Sequence, residues 1–160
     1  MNAPTSPPQP KAGSLRLDVA LQLLQQSGLA LPDTRQSDPA GWLQAVLDGL
    51  CELSSRDALT GLANRRSFET ALGREIDRVA RSGEPALLLL LDIDHFKRVN
   101  DTHGHAVGDQ VIQAVADCLR ETVRPMDLPA RFGGEEFAII LPNCPPAFGQ
   151  TVADRVRTRI

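Results

Sequence analysis

The amino-acid sequence predicts a mixed α/β domain in which helices cover a sheet. Apolar residues recur at helical spacing in several segments, including 43–53, 68–79 and 107–119. One continuous apolar run occupies 86–91, and two shorter apolar stretches flank a Gly-Gly pair. Helical segments that alternate with short strands in this order, without an internal repeat, are typical of the mixed class.

The N-terminal third predicts a tail followed by two short helices. Residues 1–14 are rich in Pro, Ala and Ser and are expected to form a disordered tail. Residues 15–31 have helical spacing, and Asp38-Pro39 then reads as an N-cap with proline at the first helical position of a helix reaching about Ser54. The helical segment 15–55 has two possible uses: it packs on the main domain, or it pairs with a second copy as a dimerising stalk.

The remaining elements fall in the domain predicted over 56–160. A helix begins near Asn64 and ends at Ser82-Gly83, and the apolar run 86–91 predicts a strand buried on both faces. The helix at 107–119 follows. Strands at 127–132 and 137–141 flank Gly133-Gly134 and predict a hairpin, and a last helix begins near Val152.

Composition excludes several classes of protein. The chain has 20 acidic and 17 basic side chains and a net charge of −3, which lacks the positive field of nucleic-acid binding. Its three cysteines form no CxxC pair, so reduced thiols are expected rather than disulfides or a zinc site. No signal peptide is recognisable, and the longest apolar run falls far short of the about 20 residues that span a bilayer. We expect a cytoplasmic protein with no membrane or nucleic-acid partner.

Four carboxylates stand where they could bind a metal. Asp92 and Asp94 end the apolar strand, and Glu135 and Glu136 follow the two glycines. If the hairpin lies beside the strand, Asp92 and one glutamate converge, and such a pair favours a cation between them. Hard oxygen ligands suit Mg²⁺, which bridges to substrate phosphates. Ordinary solvated loop carboxylates remain the alternative, and chemistry alone leaves both open.

Four segments together resemble the signatures of diguanylate cyclase (GGDEF) domains. They are Arg56-Asp57-Ala58-Leu59-Thr60-Gly61-Leu62-Ala63-Asn64-Arg65-Arg66, Leu91-Asp92-Ile93-Asp94-His95-Phe96-Lys97-Arg98-Val99-Asn100-Asp101, Gly104-His105 with Gly108-Asp109, and Arg131-Phe132-Gly133-Gly134-Glu135-Glu136-Phe137. They occur in the family's order and spacing, and the resemblance covers roughly 56–160. The resemblance implies the palm-like fold of nucleotide cyclases, with a mostly antiparallel central sheet flanked by helices.

The resemblance also implies a reaction: two GTP molecules condense to cyclic di-GMP and release two pyrophosphates. Asp92 and Glu135 would hold Mg²⁺ (or Mn²⁺), helped by the backbone carbonyl of Ile93. Glu136 would assist the metal or receive the 3′-hydroxyl proton. Phe96 and Lys97 would begin a loop around the phosphates, where backbone donors and an ammonium stabilise developing charge.

Further residues are implied to contact the nucleotide. Asn100 and Asp109 would hydrogen-bond guanine, and His105 would lie near the nucleotide or make a local loop hydrogen bond. Gly133 and Gly134 would let the backbone approach the substrate closely. Because each domain of this family binds one GTP, turnover requires a homodimer, and the two-fold symmetric product fits a C2 arrangement. His95 and His103 are interpreted as loop residues.

A second site is implied by Arg124-Pro125-Met126-Asp127, an RxxD pattern that marks product inhibition in this family. Arg124 and Asp127, with Arg131 nearby, would bind cyclic di-GMP, because guanidinium groups clamp phosphate and guanine bidentately. The alternative is a salt bridge at a helix end, worth roughly 0–1 kcal/mol.

The end of the chain departs from the family pattern. Family members continue into further strands and a helix whose basic residues contact the GTP phosphates. We therefore expect a C-terminally truncated domain with an exposed sheet edge and weak or no activity. The alternative function is a non-catalytic cyclic di-GMP receptor, and an adenylate-type cyclase is a third reading.

Overall fold

A computed structural model describes residues 17–160, so the predicted tail at 1–14 lies outside the described residues. The chain divides into two compact units, one ending at Leu53 and the other spanning Ser54–Ile160. The helices are α1 (Asp18–Gln26), α2 (Pro39–Ser55), α3 (Arg65–Ser82), α4 (Phe96–His103), α5 (His105–Thr122) and α6 (Gly149–Arg159), with a 3-10 turn at Pro146–Phe148. The strands are β1 (Leu87–Asp92), β2 (Leu128–Arg131) and β3 (Glu136–Leu141).

The first unit contains α1 and most of α2. The helix predicted over 15–31 is shorter in the structure, because the chain leaves helical geometry after Gln26 and reaches a left-handed residue at Gly28. The N-cap of α2 is as predicted: the Asp38 carboxylate accepts a hydrogen bond from the Gly41 amide at 2.9 Å. The two helices share a small apolar cluster whose fully buried members are Leu24 and Val46.

The second unit is built on an antiparallel sheet with strand order β1-β3-β2. The central strand β3 pairs with β1 along Leu87↔Leu141 to Asp92↔Glu136, and β2 pairs with β3 as the predicted hairpin. Phe137, Ile139 and Leu141 join the cluster formed with α4, α5 and α6, whereas Ala138 and Ile140 pack with Phe68 of α3. Helices therefore cover both faces of the sheet, which confirms the predicted fold class.

The strand predicted at 86–91 exists as β1, but the prediction that both its faces are buried is wrong. Its burial alternates, and Leu88 and Leu90 are 45% and 70% exposed. The reason is its position at the edge: α3 packs on β2 and β3, while the same face of β1 stays uncovered. Two-sided burial belongs to the central strand β3 instead.

The resemblance implies a loop that begins at Phe96 and Lys97, but in the structure these residues begin helix α4. Phe96 is only 7% exposed and anchors the first turn in the same cluster as α5. His95, at φ +59°, is left-handed and turns the chain from the strand into this helix. Gly104, at φ +84°, ends α4 and begins α5. His103 is therefore a helical residue, which corrects its interpretation as a loop residue.

Candidate active site

The acidic residues of the two signatures meet at one end of the sheet. Asp92 and Glu136 are the last partners of the β1–β3 ladder, and the amide of Ile93 donates to the carbonyl of Glu135 at 3.2 Å. Side chains of directly opposite residues project from the same face, with Cβ atoms about 5 Å apart. Asp92 and Glu136 also line a shared cavity of about 210 Å³ together with Phe132. The convergence that the sequence left open is therefore present.

The donor set at this end of the sheet suits a hard cation. It offers the exposed carboxylates of Asp92 and Glu136, the half-buried Glu135 and the backbone oxygen of Ile93. Two like charges directly across an antiparallel ladder repel each other, and a divalent ion would relieve this repulsion. Within residues 17–160, no three His, Cys, Asp or Glu side chains are grouped closely enough to hold a metal by themselves. Such an ion would therefore complete its shell with waters and substrate phosphates, as Mg²⁺ usually does.

The turn that carries the glutamates is shaped by its first glycine. The amides of Phe132 and Gly133 both donate to the carbonyl of Glu136, at 2.8 and 3.2 Å. A Cβ on Gly133 would overlap the Glu136 carboxylate, whereas a Cβ on Gly134 would meet nothing within 4 Å. The backbone and the motif carboxylate are thus in direct contact at Gly133.

Arg131, the last residue of β2, contacts this turn with its side chain. Its Nε donates to the carbonyl of Gly133 at 3.1 Å, its Nη2 to the carbonyl of Gly134 at 2.8 Å, and its Nη1 pairs with Asp57 at 3.3 Å. Burial of the Asp57 carboxyl disfavours its charge, but hydrogen bonds from Thr60 and the charge of Arg131 outweigh this and hold the pKa of Asp57 below its usual value. Sequence reasoning missed Asp57, although it lies in the first signature; its partner is 74 residues away.

The residues expected to contact guanine lie where α4 meets α5. The Oδ1 atom of Asn100 is buried and has no hydrogen-bond partner. Gly108 makes room for it, because a Cβ there would overlap the Asn100 side chain and lie 3.2 Å from Phe96 Cζ. Asp109 follows Gly108 directly and is exposed, as is His105 at the start of α5. A buried acceptor without a partner is costly, and the Asn100 amide would gain a donor from a ligand only by turning away from Gly108.

Lys97 is exposed in the first turn of α4, one residue after Phe96. A cavity of about 510 Å³ lies at the same end of β1, lined by apolar residues and by Asp92, Asp94 and Arg157. Helix α4 begins beside the acidic end of the sheet and leads to Asn100, so it links the residues expected at the phosphates to those expected at guanine.

The RxxD residues form a tight turn before β2. The carboxylate of Asp127 accepts from the amide of Arg124 at 2.8 Å and from its Nη2 at 2.8 Å, and the Asp127 side chain is 1% exposed. Arg124 also donates to the carbonyl of Pro142 and is 44% exposed. The hydrogen bond with Asp127 raises the pKa of Arg124 above its usual value. The salt bridge considered from the sequence is real, and it holds an exposed guanidinium in a defined orientation.

Fold and site together define a nucleotide-cyclase type of domain, and the comparison with known families agrees. Residues 54–160 match the family described as "Diguanylate cyclase, GGDEF domain". The chain belongs to this family, which confirms the resemblance.

Individual relatives cover the same part of the chain. It is 43% identical over 119 residues to the response regulator PleD of Caulobacter vibrioides, and 47% identical over 104 residues to the probable diguanylate cyclase DgcC of Escherichia coli. These alignments take in 74% and 65% of this chain but only 26% and 28% of the relatives, so the chain spans about a quarter of their length.

Among solved structures, the GGDEF domain of DgcB from Caulobacter crescentus in complex with c-di-GMP is similar. It has a TM-score of 0.65 and 41% identity, and the match covers 67% of this chain and 61% of that one. This likeness confirms the expected palm-like architecture. In the part of the chain that the structure describes, no helix is long and apolar enough to cross a membrane.

Proposed function

We propose that this chain binds GTP with a divalent cation and that two copies condense two GTP molecules into cyclic di-GMP. The observation that carries the proposal is the pairing of Asp92 with Glu136 beside a glycine turn, at the end of the sheet where α4 begins. Two facing carboxylates suit a metal that also binds phosphates, and the family to which the chain belongs is named for this reaction.

Guanine is the base that fits the α4–α5 contact. Its Watson–Crick edge offers three donor hydrogens, on N1 and N2. The unpartnered Oδ1 of Asn100 and the carboxylate of Asp109 are both acceptors. Adenine presents an acceptor at N1 and would leave one of these oxygens without a donor. This complementarity favours a guanylate substrate over an adenylate one.

In the proposed reaction, the 3′-oxygen of one GTP forms a bond to the α-phosphorus of the other, and the bond to the bridging oxygen of the β-phosphate breaks. Pyrophosphate leaves, and the 3′-hydroxyl proton passes to Glu136 or to water. The same step with the roles exchanged closes the ring and releases the second pyrophosphate.

The chain's own residues would orient the reactants. Asp92, Glu135 and the carbonyl of Ile93 would hold Mg²⁺ (or Mn²⁺), which would neutralise phosphate charge. Phe96 and Lys97, at the start of α4, would bind the phosphates, and His105 would lie near the nucleotide. Because one domain holds one GTP, two domains would face each other across a two-fold axis.

Product binding at the RxxD turn is the second part of the proposal. Arg124 is exposed, and a buried carboxylate binds its Nε and Nη2, so its Nη1 could bind a phosphate or guanine without the side chain first being ordered. The same observation favours the alternative function, a receptor that binds cyclic di-GMP without making it.

Turnover of GTP with Mg²⁺, with the product identified by mass, tests the proposal on this chain. Glu136→Gln removes the facing charge with little change of shape, and Glu69→Gln on the exposed side of α3 is the matched control. Cyclic di-GMP from the parent and Glu69→Gln, with at least a hundredfold loss in Glu136→Gln, would support the cyclase.

The receptor is tested by binding. Tight cyclic di-GMP binding that is lost in Arg124→Ala, without any product from GTP, would support the receptor instead. If the chain neither converts GTP nor binds GTP or cyclic di-GMP, both functions are contradicted.

A further inference from the structure

The guanidinium of Arg131 is fully engaged with the protein itself. Its three nitrogens contact the carbonyls of Gly133 and Gly134 and the carboxylate of Asp57, and its side chain is only 17% exposed. Arg124, by comparison, is 44% exposed. A guanidinium with its fork occupied and little exposed surface is poorly placed to bind a ligand, but well placed to hold the backbone it contacts.

Asp57 connects Arg131 to the loop between α2 and α3. Its Oδ1 accepts from the amide and hydroxyl of Thr60 at 2.9 and 2.7 Å, and Thr60 is buried. The loop is in turn fixed to α5, because Arg120 donates to the carbonyl of Thr60 at 2.7 Å and Gln113 to that of Leu59 at 3.3 Å. Through Asp57 and this loop, the guanidinium of Arg131 is therefore connected by hydrogen bonds to α5, the helix that packs against the sheet.

Apart from the backbone bonds to the carbonyls of Glu135 and Glu136, the contacts that hold this turn are those of Arg131 among the hydrogen bonds described for residues 17–160. Gly133 and Gly134 have no side chains to pack and are the residues with the greatest backbone freedom. Arg131 binds the carbonyl of each of them, immediately before the two glutamates. A small rotation of this turn would move Glu135 and the start of β3 relative to Asp92.

We infer that Arg131 is a positioning residue, which with Asp57 sets the path of the Gly133-Gly134 turn and thereby the geometry of the metal-binding carboxylates. This role rests on the proposed function, and it differs from the role in product binding that the resemblance implies for Arg131. It predicts that loss of Arg131 harms the metal-dependent part of GTP binding and spares the part that depends on guanine.

Calorimetric titration of GTP with Mg²⁺ and with EDTA separates these two parts. We expect Arg131→Ala to lose at least tenfold in the Mg²⁺-dependent gain in affinity, while affinity in EDTA changes less than twofold. Arg131→Lys keeps the charge but cannot bind both carbonyls, so it should lose nearly as much. Asp57→Asn keeps the fork and should lose less. Arg74→Ala, which removes an exposed arginine from α3, is the control and should behave as the parent.

Hydrogen exchange gives a readout that needs no ligand. The amides of Phe132 and Gly133 are bonded to the carbonyl of Glu136, and their exchange should become at least tenfold faster in Arg131→Ala but not in Arg74→Ala. A loss of overall stability would instead accelerate buried amides of β3 by the same factor.

Three results would overturn the inference. The first is an unchanged Mg²⁺-dependent gain in GTP affinity in Arg131→Ala, and the second is unchanged amide exchange at Phe132 and Gly133 in that variant. The third is a tenfold loss of cyclic di-GMP binding in Arg131→Ala while the turn stays intact, which would assign Arg131 to product binding. A parent chain without Mg²⁺-dependent GTP binding would contradict the proposed function, while the exchange experiment would still test the position of the turn.

Discussion

Replacing Asn100 by alanine should stabilise the free protein and weaken its binding of GTP. The Oδ1 atom of Asn100 is buried without a partner, which costs roughly 1–3 kcal/mol of folding free energy. Alanine also has a higher helix propensity by about 0.5 kcal/mol at this position inside α4. The packing lost with the amide offsets roughly 1 kcal/mol. The net expectation is a gain of about 1 kcal/mol in the free energy of unfolding.

The loss in binding follows from the same atom. Without Asn100, a donor of the guanine edge would be buried without an acceptor, which costs about 1–3 kcal/mol. GTP affinity should therefore fall by about tenfold or more, since 1.4 kcal/mol corresponds to a factor of ten. Stability and binding would move in opposite directions, as expected where a ligand completes a hydrogen bond that folding leaves open.

Urea unfolding followed by far-ultraviolet circular dichroism measures the stability change. The single tryptophan, Trp42, lies in α2 of the first unit, so its fluorescence would report on the other part of the chain. Asp101→Ala is the matched control, because Asp101 is the next residue of α4 and is exposed. It shares the gain in helix propensity and lacks the buried oxygen. Destabilisation of Asn100→Ala relative to Asp101→Ala, with GTP affinity unchanged, would refute the reasoning.

Three further predictions follow from the geometry. The pKa of Asp57 is lowered in the folded state, so its contribution to stability is present above its unfolded pKa near 4 and is lost as pH falls through the folded pKa. Asp57→Asn should therefore reduce the fall in the free energy of unfolding at acid pH, which urea unfolding at a series of pH values measures. Gly133→Ala should displace the Glu136 carboxylate, which a Cβ there would overlap, and thereby weaken Mg²⁺-dependent GTP binding, whereas a Cβ on Gly134 has free space. Equal affinities of the two variants in titration would contradict this. Leu89→Ala should destabilise the protein by about 2 kcal/mol because Leu89 packs in the core. Leu90→Ser should change stability by less than about 0.5 kcal/mol because Leu90 is 70% exposed. Urea unfolding of both variants tests whether only one face of β1 is buried.

Local signals predicted the elements whose ends are set by short-range chemistry. Asn64 accepts a hydrogen bond from the Ser67 amide at 2.9 Å and begins α3, and Gly83 ends it at φ +70°. The hairpin around Gly133-Gly134 was predicted because two apolar stretches were separated by turn residues. In these cases the bonds that define the element lie within a few residues of each other in sequence.

Elements that depend on distant contacts were predicted less well. The leucine run of β1 was interpreted as buried on both faces, although Leu88 and Leu90 are exposed because α3 packs on β2 and β3 alone. Helix α4 was interpreted as a loop, since its eight residues carry a single buried anchor, Phe96. A periodicity signal needs more turns than this short helix provides.

The sequence alone determined the family, the mixed α/β class, the antiparallel hairpin and the set of residues expected at the site. It did so because signature motifs, helix caps and turns each consist of residues that are close together in sequence. Only the tertiary structure decided which carboxylate faces Asp92, that the Asn100 oxygen is left without a donor, and that Arg131 is bound to Asp57 and the glycine turn. The pairs Asp92–Glu136 and Arg131–Asp57 join residues that are 44 (136 − 92) and 74 (131 − 57) positions apart, and the burial of the Asn100 oxygen depends on the packing of α4 against α5. The order of residues along one chain contains no direct measure of such distances, because they arise when separate elements are packed against each other.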